Sequence, residues 1–311
     1  MIITVTLNPS LDEWVDLPRL RIGALNRADG FARYPGGKGI NVSRVVHELQ
    51  GNTLALAVAG GADGKILSHL LSARHIRHRF VAVPGLTRNN YQIRSRSPHA
   101  LTQINCPGPR VSSRELEEIG RILRALRRSA ECVVLSGSLP PGAPPDTYAR
   151  FIRRLRQLGV PAALDASGPA LGRGVAAQPW LIKPNLSELQ ELVAVRLRGL
   201  PAIANAARRL TQRGVEVVLI SLGGAGAVLA ARNTPAVWFA KPPAVRVHST
   251  VGAGDSTVAG FVTGWLGTRS LVDAFRLGMA CGAASVMTSG TELAHRRDVQ
   301  RLMRRVVIRA L

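Results

Sequence analysis

Lysine is nearly absent from this chain. Four residues, Lys38, Lys65, Lys183 and Lys241, stand against 41 basic residues in all, so the formal charge of +22 is carried almost entirely by arginine. With lysine this scarce, each one is a candidate for a particular task. Aromatic residues make up 4% of the sequence, and the arginines lie scattered through helix-like segments such as 121–128 and 150–156. A nucleic-acid reader gathers its charge on one face and interleaves aromatics on which bases stack, so nucleic-acid binding is not indicated. Part of the excess charge could instead steer anionic substrates into a cleft. Cysteine is also rare: Cys106, Cys132 and Cys281 are odd in number, far apart and outside any CxxC spacing, which argues against a disulfide framework and a zinc site. No apolar run approaches the ~18 residues that a membrane span needs. Residues 1–7 lack a basic leader and soon meet Asp12 and Glu13, so a cytoplasmic protein is expected. Nor does a GxGxxG follow the first strand with an acidic residue ~20 positions on, which speaks against a nicotinamide dehydrogenase.

What is present is core. Hydrophobic residues are 46% of 311, with 31 Gly and 19 Pro, enough for one large α/β domain over residues 1–311. Residues 2–7 read as a buried first strand that breaks at Asn8-Pro9. Two half-exposed strands are expected at 14–17 and 27–34, and a matching pair at 89–95 and 101–105; together they would form a small sheet apart from the core, a lid drawn from about 12–34 and 88–106. Helices are expected at 38–49, 63–73, 112–128, 145–158, 186–192 and 201–213. Strands fall at 53–59, 80–83, 132–135, 161–164, 180–182 and 215–220. Such alternation predicts a mostly parallel sheet covered on both faces. A hairpin at 225–239 and three helices, 253–266, 271–287 and 298–311, close the chain.

Ligands of such sheets gather where strands end, and the residues there are small or polar: Ser136-Gly137-Ser138, Asp165-Ala166-Ser167-Gly168, Lys183-Pro184-Asn185 with Glu188 beyond, and Ser221-Leu222-Gly223-Gly224-Ala225-Gly226. Ordinary turn chemistry uses the same residue types, and Asp165 with Ser167 is read as a structural turn. The sharpest signal is Gly252-Ala253-Gly254-Asp255 at the start of a helix. Its glycines let several backbone N–H groups converge on an anion, and its carboxylate sits in the first turn. Gly37-Lys38-Gly39 before the helix carrying Asn41 is a second convergence of amides with one cation.

Six ordered stretches then carry a resemblance that spans nearly the whole chain. These are residues 4–12 (TVTLNPSLD), 35–41 (PGGKGIN), 87–90 (TRNN), 136–142 (SGSLPPG), 183–185 (KPN) and 250–256 (TVGAGDS). The sequence resembles the PfkB-type carbohydrate kinases of the ribokinase superfamily, in the branch of 1-phosphofructokinase, tagatose-6-phosphate kinase and the minor 6-phosphofructokinase. The resemblance implies a three-layer α/β sandwich with a small β-sheet lid and transfer of phosphate from ATP to a ketohexose phosphate. Asp255 would be the base, and the amides of Gly252, Ala253 and Gly254 would receive phosphoryl charge. Asp12, Gly37, Gly39 and Asn41 would hold sugar hydroxyls. Arg88, Lys38 and Arg27 would meet the sugar's own phosphate, Arg88 in a bidentate grip, and Ser138 would also bind the substrate. For the nucleotide the resemblance assigns Lys183, Asn185 and Glu188 to phosphates and Mg2+, with Glu188 holding the metal through water. Ser221, Gly223, Gly224 and Gly226, with Ala280, Gly282, Ala283 and Ser285, would shape the adenosine side. Ser249, Val251, Ser285 and Gly290 match places where related enzymes bind a monovalent cation, whereas Thr288 and Glu292 depart from that pattern, so a K+ site stays open.

Two other readings compete. A kinase of an unphosphorylated sugar or nucleoside would have no use for Arg88 and Lys38. A non-catalytic polyanion binder would have no use for Asp255, Glu188 and Lys183. A homodimer is expected through the lid, with Trp14, Val15 and Leu17 as the apolar contact.

Overall fold

Alternate residues of the first apolar run go to opposite sides of one sheet. β1 (Ile2–Thr6) sends Ile3 and Val5 to one face and Ile2 and Thr4 to the other, and all four are buried. A strand apolar on both sides has to be covered on both. The computed structural model describes all residues, 1–311. After β1 come β2 (Ser10–Leu17), β3 (Gly30–Gly36), α1 (Lys38–Glu48), β4 (Thr53–Ala59), α2 (Gly61–Ser72) and β5 (His78–Ala82). Next are β6 (Arg88–Ser95), β7 (Ala100–Asn105), α3 (Ser113–Ala125), β8 (Cys132–Ser136), α4 (Thr147–Gln157), β9 (Ala162–Asp165), α5 (Gly168–Ala176) and β10 (Leu181–Ile182). The chain ends with α6 (Leu186–Val193), α7 (Gly199–Gln212), β11 (Val217–Ser221), β12 (Ala227–Ala231), β13 (Val237–Lys241), α8 (Ala253–Thr268), α9 (Leu271–Ser285), α10 (Arg296–Met303) and β14 (Val307–Ala310).

Ten strands form the large sheet in the order β14-β13-β12-β11-β10-β9-β8-β1-β4-β5. From β11 to β5 all pairs are parallel, and β12, β13 and β14 add an antiparallel margin. Ile3 and Val5 pack with α3, α4, α5 and α7 through Ile122, Phe151, Val175 and Leu210. Ile2 and Val134 pack with α1, α8, α9 and α10 through Val45, Phe261, Phe275 and Leu302. The three layers expected from the alternation are there.

The small sheet has the order β3-β2-β6-β7. Its register sets Asp12 beside Asn90 and Tyr34. Polar residues of the face that holds Asp12, Asn90, Gln92 and Gln103 turn toward the main cavity.

Four expectations need correction. β2 is an interior strand and mostly buried, not half-exposed; Trp14 is 5% exposed and Leu17 is buried too, so neither offers a surface to a second copy. The 3.6-residue pattern expected over 298–311 ends at Met303, and the last residues form β14, because the open edge of β13 supplies ladder partners to Val307, Ile308, Arg309 and Ala310. The hairpin β12-β13 is therefore interior to the sheet's margin. Finally α5, which carries Gly168, Gly172 and Gly174, was not expected; Pro169 at its first turn starts it, and the absence of a side chain at Gly174 lets Leu164 pack there.

Candidate active site

The carboxyl ends of the parallel strands and the polar face of the small sheet enclose a cavity of about 800 Å3. Three of the four lysines, Lys38, Lys183 and Lys241, line it. Asp12, Gly37, Asn41 and Arg88 are on its walls, as are Lys183, Asn185 and Glu188. Gly252, Ala253, Gly254 and Asp255 form its floor at the start of α8, and Ser221, Gly223, Gly224, Gly226 and Gly282 border its other end.

Asp255 is 6% exposed and accepts a hydrogen bond from Asn41 Nδ2 at 2.8 Å. Burial pushes its carboxyl up to about 6, the negative charge of Asp165 adds to the rise, and Lys38, the Asn41 hydrogen bond and Lys183 oppose it. A carboxyl so placed is ionised at neutral pH yet basic enough to take a proton. Gly252 caps the helix at φ 76°, a left-handed conformation, and a Cβ there would lie 2.3 Å from Leu293 Cδ2. At Gly254 a Cβ would sit 3.2 Å from Lys183 Nζ, so the missing side chain lets an ammonium approach the first-turn amides. Cation, amide dipoles and base meet at one helix end.

Asp165, at the end of β9, ties the lysines together. Its Oδ1 lies 3.2 Å from Lys38 Nζ and 3.5 Å from Lys183 Nζ, and its Oδ2 is buried without a partner. Burial alone would raise its carboxyl, but Lys183 and Lys38 outweigh it and hold it below the ordinary range. Reading Asp165 as a structural turn missed this; its place at a strand end on the shared edge was the available signal. Ser10 and Asn90 were missed as well. Ser10 Oγ donates to Asp12 Oδ1 at 2.8 Å and Asn90 Nδ2 at 3.3 Å. Burial still raises the Asp12 carboxyl. Gly36 makes room for it, since a Cβ there would fall 2.4 Å from Asp12 Cγ. The apolar wall Pro242, Pro243, Ala244 and Val245 after β13 was likewise not expected.

Five expected site residues are placed elsewhere, one of them Ala280, which is fully buried in α9 and outside the cavity lining. Gly39 is buried, with its Cα against β1, where a Cβ would meet Thr6 Oγ1 at 2.5 Å; its role is close packing of α1. Arg27 is exposed on the β2–β3 connection, outside the cavity lining. Ser285 is buried beneath the site with an unpartnered Oγ. Ser138 lines a second cavity of about 720 Å3, which shares Arg88 and Asn105 with the first, and it accepts a hydrogen bond from Asn8 Nδ2 at 3.1 Å. Arg88 thus stands where the two cavities meet. It donates to the carbonyls of Asn8 at 3.0 Å, Cys106 at 3.2 Å and Pro9 at 3.4 Å, which leaves two of its five N–H groups for a ligand.

Asn185 and Glu188 cap α6 reciprocally: Asn185 Oδ1 accepts from the Glu188 amide at 2.8 Å, and Glu188 Oε2 accepts from the Asn185 amide at 2.9 Å. No group of three or more acidic, His or Cys side chains converges to cage a metal. The Glu188 oxygen left free by the cap fits Mg2+, which keeps several waters and takes few carboxylates plus substrate phosphates. No helix is long and apolar enough to cross a membrane.

Comparison with known proteins identifies the family. The model of the pfkB family of carbohydrate kinases matches residues 5–296. The chain is 35% identical over 311 residues to 1-phosphofructokinase of Bacillus subtilis, covering 100% of both. It is 39% identical over 302 residues to ATP-dependent 6-phosphofructokinase isozyme 2 of Mycobacterium tuberculosis, 96% of this chain and 88% of the relative. The solved structure of phosphofructokinase-2 from Escherichia coli in complex with potassium superposes with a TM-score of 0.92 at 31% identity over 98% of each chain.

Proposed function

Because the chain belongs to the pfkB family of carbohydrate kinases, we propose that it transfers the terminal phosphate of ATP to a ketohexose phosphate, with Asp255 as the base. The acceptor is fructose 1-phosphate or fructose 6-phosphate, giving fructose 1,6-bisphosphate, or tagatose 6-phosphate, giving its bisphosphate. One observation carries the reading: a buried carboxyl raised to about 6 at a helix N-terminus, with Lys183 against the same amides. Asp255 takes the proton of the acceptor hydroxyl as that oxygen attacks phosphorus. Lys183 and the first-turn amides stabilise charge on the transferring group, which is mostly a matter of position and electrostatics. Mg2+ would be held by Glu188 and, when bound, would offset negative charge on the phosphates. Asp12, with its Ser10 and Asn90 partners, binds sugar hydroxyls. Ser221 to Gly226, Gly282 and the Pro242–Val245 wall receive the nucleoside. The reading takes residues 1–311 as one kinase domain in the cytoplasm, with the small sheet as its lid. It includes a K+ site at Ser249, Val251, Ser285 and Gly290, supported by the buried, unpartnered Ser285 Oγ.

A panel of fructose 1-phosphate, fructose 6-phosphate, tagatose 6-phosphate, fructose and ribose, assayed for ADP release, tests the acceptor. A bisphosphate product from at least one hexose phosphate is expected; turnover confined to unphosphorylated sugars overturns the reading. Arg88→Ala is expected to weaken the sugar phosphate by ~1.5 to 3 kcal/mol, the worth of a hydrogen bond to a charged group. KM for ATP should hardly change, and equal losses for both substrates would remove Arg88 from the phosphate's site.

The reading also includes a homodimer through the lid, on a set of residues that keeps only Val15 of those expected. Register places Val15, Phe31, Tyr91, Ile93 and Ile104 on the face of the small sheet away from the cavity, and Phe31, Tyr91 and Ile104 are exposed. Sedimentation at micromolar concentration should give twice the chain mass, and Phe31→Glu should shift it toward one chain. A monomeric wild type would end this part of the reading.

A further inference from the structure

Asn41 meets the proposed base through an amide, and an amide can present either end. The ionised Asp255 only accepts, and the opposite end of the amide is held by Arg44, three residues on along the same face of α1. Its Nη1 donates to Asn41 Oδ1 at 3.1 Å and to the carbonyl of Pro35 at 3.2 Å, and its Nη2 donates to the carbonyl of Thr291 at 3.1 Å. With Oδ1 occupied by a guanidinium, Nδ2 has to face Asp255, where it lies 2.8 Å from Oδ2. Glu292 follows at 3.5 Å from Nη2 and is itself 3.6 Å from Arg74.

The guanidinium is buried between α1, the root of β3 and the segment after α9, where a methionine would fill the space without having to give up hydration. Its counter-charge Glu292 is 40% exposed and shared with Arg74, so the ion pair alone is a poor reason for burying it. The hydrogen bonds are directional, and they join three parts of the site: the root of β3 beside Gly36 and Gly37, the catalytic face of α1, and the segment after α9.

We propose that Arg44 is a positioning residue: by holding Asn41 Oδ1 and fastening α1 to the lid root and to Thr291, it keeps the Asn41 amide donating to Asp255. The proposal rests on the kinase reading for its kinetic consequence, and on the hydrogen bonds alone for its structural one. Asp255 is faced by Lys38 and Asn41 of α1, by Asp165 at the end of β9 and by Lys183 after β10. Of these, only the Asn41 contact depends on Arg44. Losing it removes a hydrogen bond to the ionised form, which moves the carboxyl further up.

Arg44→Met and Arg44→Lys test this in the full-length protein, each with thermal unfolding and a pH–rate profile. In Arg44→Met, kcat should fall about 10- to 100-fold, as for a misplaced catalytic contact, KM for ATP should stay within about twofold, and the acid limb of kcat should move to higher pH. Combined with Asn41→Ala, it should cost nothing further, because both changes break one contact. Arg44→Lys keeps the charge but lacks the planar fork, so a folded Lys variant should show the same upward shift of the acid limb. A folded Lys variant with wild-type kcat and acid limb, or kinetic losses that multiply in the double variant, overturns the proposal. A readout independent of activity is the Asn41 side-chain NH2 of selectively 15N-asparagine-labelled protein. Its protons should exchange slowly in the wild type and faster in Arg44→Lys, and unchanged exchange also overturns it. A wild type inactive on every sugar, with exchange still dependent on Arg44, would instead refute the kinase reading alone.

Discussion

Asp255→Asn is expected to lower kcat by ~10² to 10⁴, the range for losing a general base, while ATP binding survives. In the wild type, kcat/KM should fall with a one-proton slope as the pH drops through about 6, where the buried carboxyl becomes protonated, and this limb should vanish in the variant. Stability should move the other way. The folded carboxyl is raised from 3.8 to about 6, so its contribution is full below ~4 and is lost as the pH rises through 6. At pH 7 to 8 the wild type therefore bears the cost of a buried charge that Asn lacks. The variant should be more stable there by roughly 1 to 3 kcal/mol, since each tenfold change in proton affinity is worth about 1.4 kcal/mol, less a few tenths for the lost helix-dipole interaction. Denaturant unfolding at pH 4 and pH 8 should show the difference only at the higher pH. A variant that keeps more than about a tenth of wild-type turnover would make Asp255 a helix cap and not a base.

Asp165→Asn should have the larger structural effect. Its carboxylate is 1% exposed and is the shared counter-charge of Lys38 and Lys183. Removing one partner of a buried ion pair costs ~3 to 5 kcal/mol, so the midpoint of denaturation at pH 7 should fall steeply. This folded carboxyl is depressed, so the wild type's advantage is present above the ordinary value of 3.8 and disappears as the pH falls through the lower folded value. The two lysines, no longer held together, should bind ATP less well. The acid limb of kcat should also move below 6, because Asp165 is the negative neighbour that helps to raise Asp255. Equal stability of the two proteins at pH 7 would show that the lysines do not need this counter-charge.

Local spacing alone determined most of what positions the site. Residues 250–256 carry both the glycine cap and the first-turn carboxylate of α8 within one short stretch. Parallel strands joined by helices deliver their carboxyl ends to one edge, so Lys183, Asn185, Ser221 and the glycines after it fall together without any knowledge of contacts. The lid was legible for the same reason, as two pairs of alternating strands bounded by turns. What stayed hidden were choices between neighbours distant in sequence. Asn41 and Asp255 are 214 residues apart and Lys38 and Asp165 are 127 apart, so nothing local says that Asp165 organises two lysines or that Arg44 orients an amide. Residues 307–310 read as helix because amphipathic patterns a few residues long fit both periods; the unpaired edge of β13 decided for a strand. Trp14 read as half-exposed because alternation is blind to a strand's place in its sheet, and β2 turned out to have a neighbour on either side. Sequence determines which groups a site can contain, since the chemistry of each is carried by its own residue. Only the tertiary structure decides which groups share a proton, a charge or a hydrogen bond, because those energies depend on distances of a few ångströms between segments that the chain itself holds far apart.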